Sequence, residues 1–242
     1  MASARSVDGD DDGLLALRRA SLLTTNPRID GVGPLTGDAI GTTADRRRAA
    51  ALAGHRNDPD AARRFLDDPD GGVRATALGA LHRASALRTE DLAAALADSS
   101  STVRSRAAEL VAALEGRGPA EAVSLLGLLT DPDDTVVEIA AWASGERVPA
   151  EPGAVEALAT LATDHADALV REAAVAALGS IGDPAGLPAI LAATTDKATV
   201  RRRAVIALAP FDGPEVDEAL QRALTDRDWQ VRQVAEDLSE PL

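Results

Sequence analysis

A valine that opens an alanine-rich stretch recurs at Val73, Val103, Val136, Val170, Val200 and Val231, at spacings of 30, 33, 34, 30 and 31 residues. No other feature constrains the fold as much, because self-similarity at such a period is the signature of stacked repeats. Arg follows the valine in five of the six copies, at Arg74, Arg104, Arg171, Arg201 and Arg232, and Val137 takes that place in the third. Four residues after the valine the side chain is always Ala (Ala77, Ala107, Ala140, Ala174, Ala204 and Ala235), and seven after it is Ala or Leu. Counting the valine as position 0, positions 0, +4 and +7 share one face of an α-helix. Small side chains there predict neighbouring helices at close range.

A second apolar segment precedes each of these helices, as in TEDLAAALA, PAEAVSLLGLL, PGAVEALATLA, PAGLPAILAA and PEVDEALQRAL. Several begin with Pro, which a first helical turn tolerates. Acidic turns with Gly or Pro separate the segments. The unit is therefore helix, acidic turn, helix. One such unit cannot bury both its faces, and stacking neighbours makes a continuous core.

The turn Asp, the Val-Arg pair and the following Ala and Leu resemble the HEAT repeat family, in the short form also found in phycobilin lyases. The resemblance covers residues 58 to 238. It implies an all-α fold, a right-handed α-solenoid (superhelix) of about six HEAT-like helix pairs plus a partial N-terminal repeat. Asp68, Asp98, Asp131 and Asp226 stand five residues before the repeat valine, and Asp164 and Asp196 are displaced by one. Asp in this turn is expected to satisfy free backbone N–H groups at the helix start. The resemblance also implies that each Val-Arg arginine pairs with an Asp of an adjacent repeat. Val137 then predicts a broken rung in the third repeat.

The remaining chain divides by composition. Residues 1 to 10 read as a disordered acidic tail, and 11 to 57 as an N-terminal helix, a Gly-rich loop and a degenerate partial repeat. Residues 58 to 242 read as the repeat array with its C-terminal cap. DDGLLALRRASLL is an expected amphipathic helix, and DRRRAAALAG the helix of the partial repeat. In residues 24 to 43 the spacing of Gly31, Gly33, Gly37 and Gly41 fits neither a dinucleotide fingerprint nor a P-loop. A plain connection or a binding arm is the expectation there. Glu236 replaces an apolar residue of earlier copies and predicts a solvent-facing cap near Leu238.

A net charge of −14 disfavours binding to nucleic-acid phosphates or an anionic membrane surface and favours basic partners. Aromatics make up only 2% of the chain, so Ala, Leu and Val must fill the core. There is no Cys, which excludes thiolate metal sites and disulfides. The start lacks the layout of a secretory signal, and no apolar run approaches the ~18 residues of a membrane span. A cytoplasmic location is the default expectation.

Chemistry is sparse. His55, His82 and His165 are not spaced as ligands of one another and are expected on the surface, so no metal site, cofactor site or catalytic residue is nominated. No GxSxG motif is present. The leading expectation is a non-catalytic scaffold or adaptor, not an enzyme, that holds a protein or peptide with basic segments in a concave groove. The alternatives are a phycobilin-lyase-like protein acting on a tetrapyrrole and, more remotely, a HEAT-like DNA glycosylase. If 0, +4, +7 and +8 face inward, +2, +3 and +6 face the groove. That selects Glu138, Ile139, Trp142, Glu172, Arg202, Arg203 and Ile206 as partner-binding residues. Two readings of Trp142 stay open, an anchor on the groove or a side chain tucked into the core. Trp229, in a turn two residues before Val231, is expected to pack over the end of the last repeat.

Overall fold

Each repeat valine lies at the start of a helix, and each alanine four residues later is fully shielded from solvent. In the computed structural model the described residues are 41 to 239 with Gly116 excepted. The N-terminal acidic tail, the expected amphipathic helix and the Gly-rich segment up to residue 40 lie outside them. The second helices of the pairs are α3 (Gly71–Arg83), α5 (Ser101–Ala113), α6 (Asp134–Gly145), α8 (Ala168–Ile181), α10 (Ala198–Ala207) and α12 (Trp229–Ser239). The helix α1 (Thr43–His55) precedes them as the partial repeat. First helices are α2 (Pro59–Arg63), α4 (Thr89–Leu96), α7 (Ala154–Asp164), α9 (Leu187–Ala193) and α11 (Pro214–Ala223). Second helices pack against the second helices before and after them, and first helices back this layer.

The third repeat departs from this plan. PAEAVSLLGLL, expected as one helix, forms two 3₁₀ turns, Gly118–Ala120 and Leu126–Thr130. The cause is tertiary. Arg147 donates to the Val123 carbonyl at 2.8 Å, and the Leu125 N–H donates to the Glu151 carboxylate at 3.0 Å. Those backbone groups are thereby satisfied outside a helix.

The core is continuous. One apolar cluster runs from Ala53 to Ala219, with Leu78, Leu92, Leu110, Leu158, Leu178 and Ile190 fully buried in it, and a satellite cluster closes each end. A buried methyl group contributes only about 0.8 kcal/mol by transfer. The value of the shielded alanines is therefore distance, because they let the second helices approach. At Gly145 and Gly179 even a methyl has no room. A Cβ on either would stand 2.7 Å from the backbone Cα of Ala177 or Ala207 in the next repeat.

Between the repeats runs a ladder of ion pairs. The five arginines Arg46, Arg74, Arg104, Arg171 and Arg201 each fork onto one aspartate of the following repeat: Asp68, Asp98, Asp131, Asp196 and Asp226. Both nitrogens of each fork lie 2.5–3.2 Å from the carboxylate oxygens. From Arg74 onward the third arginine nitrogen donates to the first carbonyl of its own turn, at 2.7–2.8 Å. Fork geometry of this kind is specific to Arg and the carboxylate.

Two expectations need correcting. The rung aspartates do not cap the helices. Asp68, Asp98, Asp131 and Asp226 accept instead from the N–H two residues on, and Asp196 from that of Lys197. Capping falls to a second acidic residue, with Asp70, Asp133 and Asp167 accepting from N–H groups in the first turn. The reason is position: a carboxylate five residues ahead of the valine lies outside the first turn and faces the preceding repeat. Nor is Asp164 a displaced rung residue, since it ends α7 and is exposed. His165 occupies the slot. Its Nδ1 accepts from the Asp167 N–H at 3.2 Å, and its carbonyl receives Arg171 at 2.7 Å.

The broken rung is where Val137 predicts it, and both its halves are exchanged. Val137 is buried where an arginine would fork, and His165 stands where the aspartate would accept. His165 Nε2 instead lies 3.7 Å from Asp134, so the acid is now on the earlier repeat. Val137→Arg alone is expected to destabilise the array, and His165→Asp alone to set a carboxylate against Asp134. Together they restore the standard rung. Thermal melts in a double-mutant cycle should give a coupling of about 1–3 kcal/mol in favour of the pair. Strict additivity would show that this joint is built differently from the others.

Candidate functional site

Positions +2, +3 and +6 of the second helices are those the sequence assigns to the groove. All seven nominated residues, Glu138, Ile139, Trp142, Glu172, Arg202, Arg203 and Ile206, are half-buried. The register between neighbours is visible at the first two repeats. There the Arg106 guanidinium lies 2.8 Å from where a Gly79 side chain would begin, so +3 of one repeat lies over +6 of the one before. The same register would set the small Ala173, at +3 of the next repeat, over Trp142. Trp142 and Ile139 pack against the core and keep part of their surface outside it. Trp142 is thus neither sunk in the core nor freely exposed. Not every position conforms, because Ala75 at +2 of the first repeat is buried.

Charge on this face is partly settled internally. Glu172 and Arg203 meet at 3.6 Å across α8 and α10, each with 18% of its side chain exposed. Arg106 and Glu109 pair at 2.9 Å within α5. A basic ligand reaching Glu172 would therefore compete with Arg203. His82 is half-buried beside this region rather than on the surface as expected. Burial pushes its pKa down, and the charges of Arg106 and Arg83 add to that.

The ladder dominates the response to acid. Arginine hydrogen bonds hold Asp68, Asp131, Asp196 and Asp226 below the usual carboxylate range. At Asp98 burial pushes upward, and the Arg74 bond with its neighbours outweighs it. A carboxylate depressed on folding stabilises above its unfolded pKa of about 3.9, and that contribution is lost as pH falls through the folded value. His82 acts earlier. Its pKa is lower in the folded chain than in the unfolded one, so stability declines as pH falls below about 6.5, where the unfolded chain takes up the proton first. Melting temperatures measured from pH 8 to 3 should fall gently below pH 6.5 and steeply below 4. The His82→Gln variant should lack the first phase.

Two shallow clefts lie beside the broken first helix of repeat three, and neither was among the nominated sites. One, of about 420 Å³, lies between residues 121–124 and 147–152, and the other, of about 460 Å³, between that segment and α4. Arg147, only 9% exposed, lines the first, pairs with Glu151 at 3.3 Å and has its buried Nε without a partner. Val148 on its rim is 82% exposed. The only advance signals were Ser124 and Gly127, which interrupt the apolar pattern. Among the described residues no group of three His, Asp or Glu side chains is placed to hold a metal ion. No described helix is long and apolar enough to cross a membrane.

Stacked helix pairs with a shared core and a repeating inter-repeat rung define an α-solenoid. HEAT repeats match residues 89–178, 125–209 and 155–239, and the chain belongs to the HEAT repeat family. Among solved structures, it is similar to an engineered protein at 24% identity and TM-score 0.53, with 75% of this chain and 94% of that one covered. It is also similar to a designed armadillo repeat protein in complex with the peptide (KR)4, at 22% identity and TM-score 0.58, covering 74% and 97%. YibA of Escherichia coli is similar at 19% identity and TM-score 0.56, covering 83% and 75%. At such identities the likeness is one of fold. No curated protein sequence matches the chain.

Proposed function

We propose that this protein is a non-catalytic scaffold or adaptor, and that it holds a protein or peptide against the exposed side of its second helices. The observation that carries this reading is the half-buried pair Ile139 and Trp142 on α6, with Glu138 on the same helix and Glu172 on the next. An indole with one side packed and another open is suited to anchor a ligand without reorganising the core. Ala173 and Ala176, at +3 and +6 of the next second helix, are small. The designed armadillo repeat protein of similar fold binds a peptide of alternating Lys and Arg. A basic segment is the ligand class that the charge balance of this chain also favours.

The test is a titration of fluorescein-labelled (KR)4, with a pull-down from native lysate run in parallel. Wild type is compared with the double variant Trp142→Ala, Glu172→Gln after circular dichroism has shown equal folding. Saturable binding that the double variant weakens by roughly tenfold or more, about 1.4 kcal/mol, supports the central face. Equal retention by both proteins would move the site away from α6 and α8. Unfolding of Trp142→Ala would make the indole a core residue and remove the anchor.

A further inference from the structure

The ladder has a sixth arginine, Arg232. Its Nη1 donates to the Asp226 carbonyl at 2.7 Å, the bond that Arg74, Arg104, Arg171 and Arg201 make to their own turns. The guanidinium is thus held by the contact that orients every internal fork from Arg74 onward. Yet among the described residues no carboxylate meets its Nε and Nη2. Beside it, Trp229 at the start of α12 is 65% exposed. The expectation that Trp229 packs over the last repeat is therefore overturned. Its side chain projects from the turn, ahead of the buried Val231 that holds α12 to the layer.

We propose that Arg232 and Trp229 form a docking edge for another protein, one that presents a carboxylate in the turn leading into a helix. The array itself shows five times what such a fork accepts, an aspartate with both oxygens on the guanidinium and one of them also on a nearby backbone N–H. A fork already held in place loses less freedom on binding than a free arginine, which favours occupancy. Trp229 adds apolar area at the rim of the same contact. Glu236 and Asp237, both exposed on α12, disfavour an acidic helix face and restrict the carboxylate to the turn. A second copy stacked head to tail as the next repeat presents no matching carboxylate, because the slots ahead of α1 are Ile40 and Gly41.

The test presents a known turn to the edge. A copy of residues 182–209, which carries the Asp196 turn, is appended after Leu242 of the full chain, and amide hydrogen exchange is read in the appended segment. Slowing of its helix amides by roughly tenfold or more is expected. It should be lost with Arg232→Gln, and lost equally with Asp196→Asn in the appended copy alone, a change that leaves the native chain untouched. Unprotected appended amides would overturn the proposal, as would protection indifferent to both substitutions. Self-association of the unextended chain that Arg232→Gln abolishes would overturn the assignment to another protein and make the occupant a second copy.

Discussion

Arg104→Gln lowers the melting temperature by about 5–10 °C. Arg104 forks onto Asp131 at 2.6 and 2.8 Å and donates to the Asp98 carbonyl at 2.8 Å, with only 13% and 5% of the two side chains exposed. An exposed ion pair of this kind would be worth little. Here removal of the arginine strands a shielded carboxylate, which keeps only its bond from the Asp133 N–H. Losing charge-assisted bonds while one partner stays buried costs about 2–3 kcal/mol. For a chain of this size that corresponds to the stated shift. Arg104→Lys should recover only part of it, since an ammonium keeps the charge but not the fork. Scanning calorimetry decides the matter. A shift within 1–2 °C would make the rung a surface decoration.

The second large effect has an unexpected sign. Gly→Ala inside a helix ordinarily stabilises by about 1 kcal/mol. At Gly145 the new methyl would stand 2.7 Å from the Ala177 Cα and 2.9 Å from its Cβ. Neither atom is the end of a flexible side chain, so α6 and α8 must separate. Overpacking of this sort costs about 1–3 kcal/mol. Gly179 against Ala207 and Gly54 against Ala80 repeat the geometry. Gly127 is the control, because nothing stands within 4 Å of its added methyl. Urea unfolding should show Gly145→Ala and Gly179→Ala destabilised and Gly127→Ala close to wild type. A stabilised Gly145→Ala would mean that the second helices are not in contact there.

What could be read in advance follows how local its cause is. The valines and alanines at 0 and +4 were legible because helical periodicity and burial agree in every copy. Val137 was legible as a missing rung because five neighbours define the rule. The substitute, His165, was not, since its role rests on an Nδ1 lone pair standing in for a carboxylate oxygen. The broken first helix of repeat three was hidden for a related reason. Its apolar content suits a helix, and only Arg147 and Glu151, more than twenty residues away, withdraw the backbone groups of Val123 and Leu125. For the candidate face, the period assigns Trp142, Ile139, Glu138 and Glu172 to neighbouring helical positions of two successive repeats. It could not show that Glu172 already meets Arg203.

Because each rung joins the start of one second helix to the turn of the next repeat, the ladder is indifferent to how many repeats there are and strict about phase. A cut from Val137 to Val170 would place Arg171 directly behind Val136, still opposite Asp196, and would delete the one exchanged rung. Cuts that remove part of a unit would leave a guanidinium facing apolar surface. The ladder therefore works as a reading frame for the fold: whole units can be gained or lost by duplication and deletion, while partial units are rejected by the cost of a buried, unpaired charge.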